Sequence, residues 1–169
     1  LGPVARAYYF MTARLSAEEA ERRRRLFGTL ADGLRPIRPY RWRLGEGAQL
    51  LELPVTTMPI LRFPFHLSYV LYLSGFSPAL ALAYFRLALA LCRLSGTPPA
   101  VLLHPLDFLD GEDAPALQFF PGMRLERERK MAVVSRALEL LARQFDVAPM
   151  GCYAQEIAAQ YHLRTMEAR

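Results

Sequence analysis

With 169 residues, 53% of them apolar and 22% charged, the chain has enough apolar surface to offset the entropy of ordering, which excludes a disordered tail or a collagen-like rod. Two cysteines form at most one bridge, which excludes a small disulfide-stapled fold. There are 21 basic and 16 acidic residues, a formal charge of +5. The dense basic run Arg22 to Arg25 follows Glu18, Glu19 and Glu21 at helical spacing, the pattern of a solvated helix face rather than a nucleic-acid surface.

The length fits one domain over residues 1–169, with 1–45 an irregular and helical lead-in. The chain opens on Leu1 without a signal-like segment, so a processed piece or fragment is expected and the compartment, bacterial cytoplasm or cell envelope, stays open. Ser16-Ala17-Glu18-Glu19 has capping-box spacing and Gly28 is a stop, so Ala17 to Phe27 is predicted helical. The Pro- and Arg-rich stretch Leu34 to Trp42 leaves no room for a regular element between its prolines. Gln49 to Thr57 reads as a buried strand.

From Phe63 to Phe85 no residue is charged, a run of membrane-spanning length. Ser74-Gly75-Phe76-Ser77-Pro78 breaks it with a turn that starts a new helix, Ser77 as N-cap and Pro78 at the first position. Two short buried elements are therefore expected, with shallow peripheral membrane contact as the alternative. The helix runs from Pro78 to Leu94, and Ala100 to His104, bracketed by Pro99 and Pro105, reads as a short, fully buried parallel strand. A polar loop from Pro105 to Gly122 leads into an amphipathic helix whose apolar positions are Met131, Val134, Leu138, Leu141 and Phe145. Asp146 to Met150 is predicted as a strand, and Gly151 and Cys152 open a final helix to about Tyr161. From Gln49 onward the order strand, helix, strand, helix, strand, helix implies an α/β fold with parallel strands.

In such folds working residues gather at the carboxyl ends of the strands. His104 falls there by position, with Asp107 three residues on. An imidazole so placed can act as acid or base near neutral pH, and the carboxylate can orient it or raise its pKa. The competing reading is a histidine that only hydrogen-bonds the backbone. Thr56 and Thr57, at the end of the preceding strand, could bind a polar ligand or simply fill the strand. Asp107, Asp110, Glu112 and Asp113 lack the ligand order of an EF-hand and read as a solvated loop. His66, His104 and His162 are too far apart in sequence for a spacing-based metal motif. Cys92 reads as a small core residue.

Arg38-Pro39-Tyr40-Arg41-Trp42, the strand Leu51-Glu52-Leu53-Pro54-Val55-Thr56-Thr57-Met58-Pro59, the element Pro98 to Phe108 with Leu102-Leu103-His104-Pro105 at its centre, and Phe119-Phe120-Pro121-Gly122-Met123 together resemble the carboxyl-terminal half of a NodB-type polysaccharide deacetylase. The resemblance implies a partial (β/α) barrel and the hydrolysis of acetyl groups on a cell-envelope or lipid-linked glycan. It implies a divalent metal, commonly zinc, held by one Asp and two His, with a further Asp as base. His104 matches the family histidine that protonates the leaving group. The Asp-Asp pair and the H-x-x-x-H metal motif of the family's amino-terminal half are absent from this sequence. The chain alone is therefore expected to bind no metal and to be inactive. The alternatives are a lipid-linked amino-sugar deformylase and a non-catalytic binding or scaffold protein that self-associates through an exposed sheet edge.

Overall fold

The computed structural model describes residues 33–120, 122–160 and 162–167. The predicted helix from Ala17 to Phe27 and the arginine run lie outside them. The described part is mixed α/β, with four α-helices and a three-stranded sheet.

The sheet has the order β2-β1-β3, with β1 at Tyr40–Arg43, β2 at Gln49–Glu52 and β3 at Thr165–Glu167. β1 pairs antiparallel with β2, Tyr40 opposite Glu52, and parallel with β3, Arg41 opposite Thr165. It begins directly after Pro39, the last proline of a connection expected to hold no regular element. Tyr40 is buried and meets the edge of Trp42 at 5.3 Å, while the Arg35 guanidinium lies 4.9 Å over the Trp42 ring.

Three further strand expectations are corrected. The Gln49 to Thr57 strand stops at Glu52 and its first two residues are exposed, because Pro54 has no N–H to continue the ladder. Ala100 to His104 is extended but is not a strand, and Leu102, Leu103 and His104 are exposed. Its prolines leave room for only isolated bonds: the Thr56 N–H donates to the Ala100 carbonyl at 3.0 Å and the Leu67 N–H to the Leu102 carbonyl at 3.4 Å. Residues 146–149 are likewise irregular, and the final helix begins at Met150, behind Pro149 at its N-cap. The parallel ladder expected from Gln49 onward is therefore replaced by a small open sheet of mixed direction, and no closed barrel is present among the described residues.

Helix α1 is Leu67–Ser74, α2 is Pro78–Leu94, α3 is Arg127–Ala142 and α4 is Met150–Ala158. α2 starts as its sequence dictates. The Ser77 hydroxyl accepts the Leu80 N–H and Pro78 occupies the first turn. Helices α1, α2 and α3 pack on one another around Phe65, Leu71, Phe85, Leu89, Val134 and Ala137, with Phe65 and Phe85 at 6.1 Å. Cys92 lies in this core, and burial pushes its thiol pKa up to about 11, so it is inert filling. The uncharged run thus divides between α1 and α2, and no helix among the described residues is long and apolar enough to cross a membrane. The buried stripe of α3 is Lys130, Val133, Val134, Ala137 and Leu141, rotated from the predicted one so that a lysine takes the place assigned to Met131.

Gly122 marks where the 105–126 loop touches α1. Its φ is +80°, and a Cβ there would lie 2.9 Å from the Leu71 Cβ. Gly47, at φ +81°, has nothing within 4 Å. Gly122→Ala is expected to cost about 2 kcal/mol in urea unfolding, and Gly47→Ala about 1 kcal/mol, since only the first adds a clash to backbone strain. Equal costs would mean that Leu71 yields without penalty.

Candidate functional site

Two of the resemblance-bearing segments meet in space. Residues 53–58 run beside 97–104, joined through Thr56. Its backbone N–H reaches Ala100, and its buried hydroxyl accepts the Ala100 N–H at 2.8 Å and lies 3.5 Å from the Pro98 carbonyl. Thr57 is half-buried and bridges Pro64 through the backbone. The Thr56 hydroxyl, for which ligand contact and a structural place in the strand are both open from sequence, holds these two segments together.

His104 ends the second segment and is exposed. It precedes a single 3-10 turn, Pro105–Asp107, that Pro105 initiates. Asp107 is buried. One carboxylate oxygen accepts the His104 backbone N–H at 2.8 Å, the other accepts the Ser68 hydroxyl at 2.8 Å, and the Asp107 N–H returns to the His104 carbonyl at 2.9 Å. Asp107 therefore fixes the backbone that carries His104. The sequence reading gave it the imidazole as partner.

The structure also brings together two histidines that spacing kept apart. The His66 ring lies 5.9 Å from that of His104, nearly perpendicular to it, and 4.6 Å from the Tyr69 ring. His66 is half-buried at the N-cap of α1, and its Nδ1 is buried with no hydrogen-bond partner among the described residues. Burial, and then the neighbouring His104, hold its pKa below the ordinary 6.5, opposed by Asp107. The pair spans 38 positions in sequence and rests on the Leu67 to Leu102 and Ser68 to Asp107 bonds, so no local pattern announces it.

Behind the turn stands Lys130 of α3. Its ammonium is buried and donates to the Leu106 carbonyl at 2.6 Å and to the Leu109 carbonyl, with the Met123 sulfur at 3.7 Å. Burial lowers its pKa, opposed by Asp107, Asp110 and Asp113. The acidic loop is less solvated than expected. Asp110 is buried and caps the Glu112 and Asp113 N–H groups, and Arg127 bridges Asp110 and Asp113, each at 2.8 Å. The Arg127 hydrogen bond holds the Asp113 carboxyl below the usual range. These carboxylates are occupied as loop braces.

A metal of the kind the resemblance implies needs at least three protein donors. Among the described residues no group of three His, Cys, Asp or Glu side chains is close enough to supply them, and both Asp107 oxygens are already accepting hydrogen bonds. Among the described residues that donor set is not assembled. No protein-family model, curated protein or solved structure matches the chain.

Proposed function

We propose that the chain forms one wall of the active site of a glycan N-deacetylase and that His104 delivers the proton to the departing amine. The observation that carries the reading is the convergence of its two motifs. Glu52-Leu53-Pro54-Val55-Thr56-Thr57 and Leu102-Leu103-His104-Pro105 lie about fifty residues apart in sequence, yet Thr56 ties their segments side by side, with an exposed imidazole on a braced turn at the end. Cleavage of an acetamide passes through a tetrahedral intermediate whose nitrogen must be protonated before the C–N bond breaks. His104 is the group suited to that step, since water and substrate reach it while Asp107 anchors its backbone.

On this reading residues 53–58 and 97–104 belong to the wall of a (β/α) barrel of the deacetylase type, where neighbouring strands supply the ladder these segments lack here. Metal and base come from parts of the site whose motifs this sequence does not contain. A lipid-linked amino sugar is favoured as substrate, because Phe63, Tyr72 and Phe76 stand exposed within the uncharged run and suit an acyl or prenyl chain.

The test uses the protein encoded by the complete reading frame, assayed for acetate release from an N-acetylated, lipid-linked amino sugar. His104→Ala is expected to lower kcat by about 100-fold or more, the range for loss of a positioned acid, with metal content and KM unchanged. Full activity in that variant sinks the acid assignment. Release of formate in place of acetate would identify a deformylase.

A further inference from the structure

We propose that His66 is a positioning residue for His104: it is held as a neutral imidazole with its hydrogen on Nε2, so that it packs against the His104 ring without competing for a proton.

Nδ1 of His66 sets the state of its ring. This atom is buried and no acceptor among the described residues faces it. An imidazole nitrogen without a proton tolerates that isolation, since an unmet acceptor is less costly than an unmet donor. A protonated ring would bury an N–H with nothing to receive it, at the full desolvation cost of the group. The same constraint selects the tautomer, leaving Nε2 as the nitrogen that bears hydrogen.

The neighbouring ring acts in the same direction. Two like charges on rings 5.9 Å apart repel enough that the second proton binds about tenfold more weakly than the first, after allowance for solvent at the exposed ring. Of the two rings, His66 is the one with a buried nitrogen that has no partner among the described residues, so it is the one left neutral.

The remaining groups around His66 do not reverse this order. From the 3-10 turn, Asp107 favours a charged His66, but its oxygens already accept from Ser68 and His104. Lys130 of α3 is engaged by the Leu106 and Leu109 carbonyls and couples to Asp107. From α1, Tyr69 presents its ring. From α2, the Tyr84 hydroxyl donates to the Pro64 carbonyl at 2.6 Å, and burial pushes its pKa up to about 12, so it stays neutral. His66 can therefore hold the His104 ring without competing for its proton.

The role of the pair in catalysis rests on the deacetylase reading, whereas its protonation does not, and the experiment separates them. Imidazole 15N and 13C shifts of the full 169-residue chain are followed from pH 5 to 8.5, with the exposed His162 as internal reference. His66 should show the Nε2–H tautomer and remain neutral while His104 takes its proton. In His104→Gln the proton affinity of His66 should rise about tenfold. A His66 that protonates with or before His104, or that carries hydrogen on Nδ1, overturns the proposal. So does a His66 titration unmoved by His104→Gln.

In the complete protein, His66→Phe keeps a ring against His104 and His66→Gln keeps a polar group. Under the proposal both lower kcat about tenfold at unchanged KM and leave the basic limb of the pH–rate profile in place, because the ring they remove is neutral. A displaced basic limb would show that His66 carries charge in the enzyme and overturns the proposal. No turnover on any acylated amino sugar, with the titrations as expected, would remove the deacetylase reading and leave the neutral His66 standing.

Discussion

Lys130→Met is expected to destabilise the fold by about 4 kcal/mol, the largest stability effect foreseen for a single side chain here. The lysine is fully buried on the inward stripe of α3, and its ammonium spans the Leu106 and Leu109 carbonyls. Methionine fills nearly the same space, so a cavity is a small part of the change. What is lost is hydrogen bonding and charge. Two carbonyls lose their donor at about 1 to 3 kcal/mol each, and Asp107 loses a nearby cation. Replacing a buried charge with an apolar group can be neutral when both partners are replaced together, whereas removing one strands the other. Lys130→Gln, whose amide can still donate to a carbonyl, should recover about half of the loss. Urea unfolding checks both, and a cost below about 1 kcal/mol for Lys130→Met would mean that water reaches the carbonyls. Against a typical total stability of about 5 to 15 kcal/mol, the expected loss leaves a marginal protein.

Lys130 also shows where sequence reading stopped. The residues 130, 133, 134, 137 and 141 form a clean helical stripe, and a lysine in line with four apolar residues is a visible signal. Counting apolar residues alone passes over Lys130 and puts Met131 in its place, although Val134 and Leu141 belong to both stripes. Where the determinants are local, the sequence was sufficient: Ser77 and Pro78 start α2 as their chemistry requires. Where they are not, it misled. Ala100 to His104 has the composition of a strand, but strands need neighbours, and the flanking prolines withhold the donors a ladder would use. β1 was missed for the converse reason. Four residues after Pro39 look like linker until β2 and β3, the latter more than 120 residues further on, pair with them.

The candidate site divides in the same way. His104 and Asp107 were legible because they are three residues apart and a proline separates them, so a capped turn was foreseeable. Which group of His104 the carboxylate holds was not, because side chain and backbone N–H are equally near in sequence. His66 could not have been found from spacing. Its approach to His104 depends on α1 docking through Ser68, a serine with no motif around it.

That docking makes Asp107 the brace of the turn that carries His104, and Asp107→Ala is expected to cost about 3 kcal/mol and, under the proposed deacetylase function, to lower turnover. The substitution strands the His104 N–H and the Ser68 hydroxyl, both now bound at 2.8 Å, and leaves Lys130 with less compensating charge. Asp107→Asn separates hydrogen bonding from charge. Its amide oxygen can keep the His104 N–H, and the Ser68 hydroxyl can rotate to accept from the amide nitrogen. Both bonds survive, and the expected cost falls to about 1 kcal/mol. If Asp107 acts by fixing the His104 backbone, Asp107→Asn retains most of kcat and Asp107→Ala loses about tenfold at unchanged KM. If it acts instead by its charge on the imidazole, the two variants lose kcat equally. Urea unfolding and a kcat and KM comparison of the pair decide between these. Equal loss would restore the carboxylate–imidazole partnership that the sequence suggested and the geometry replaced.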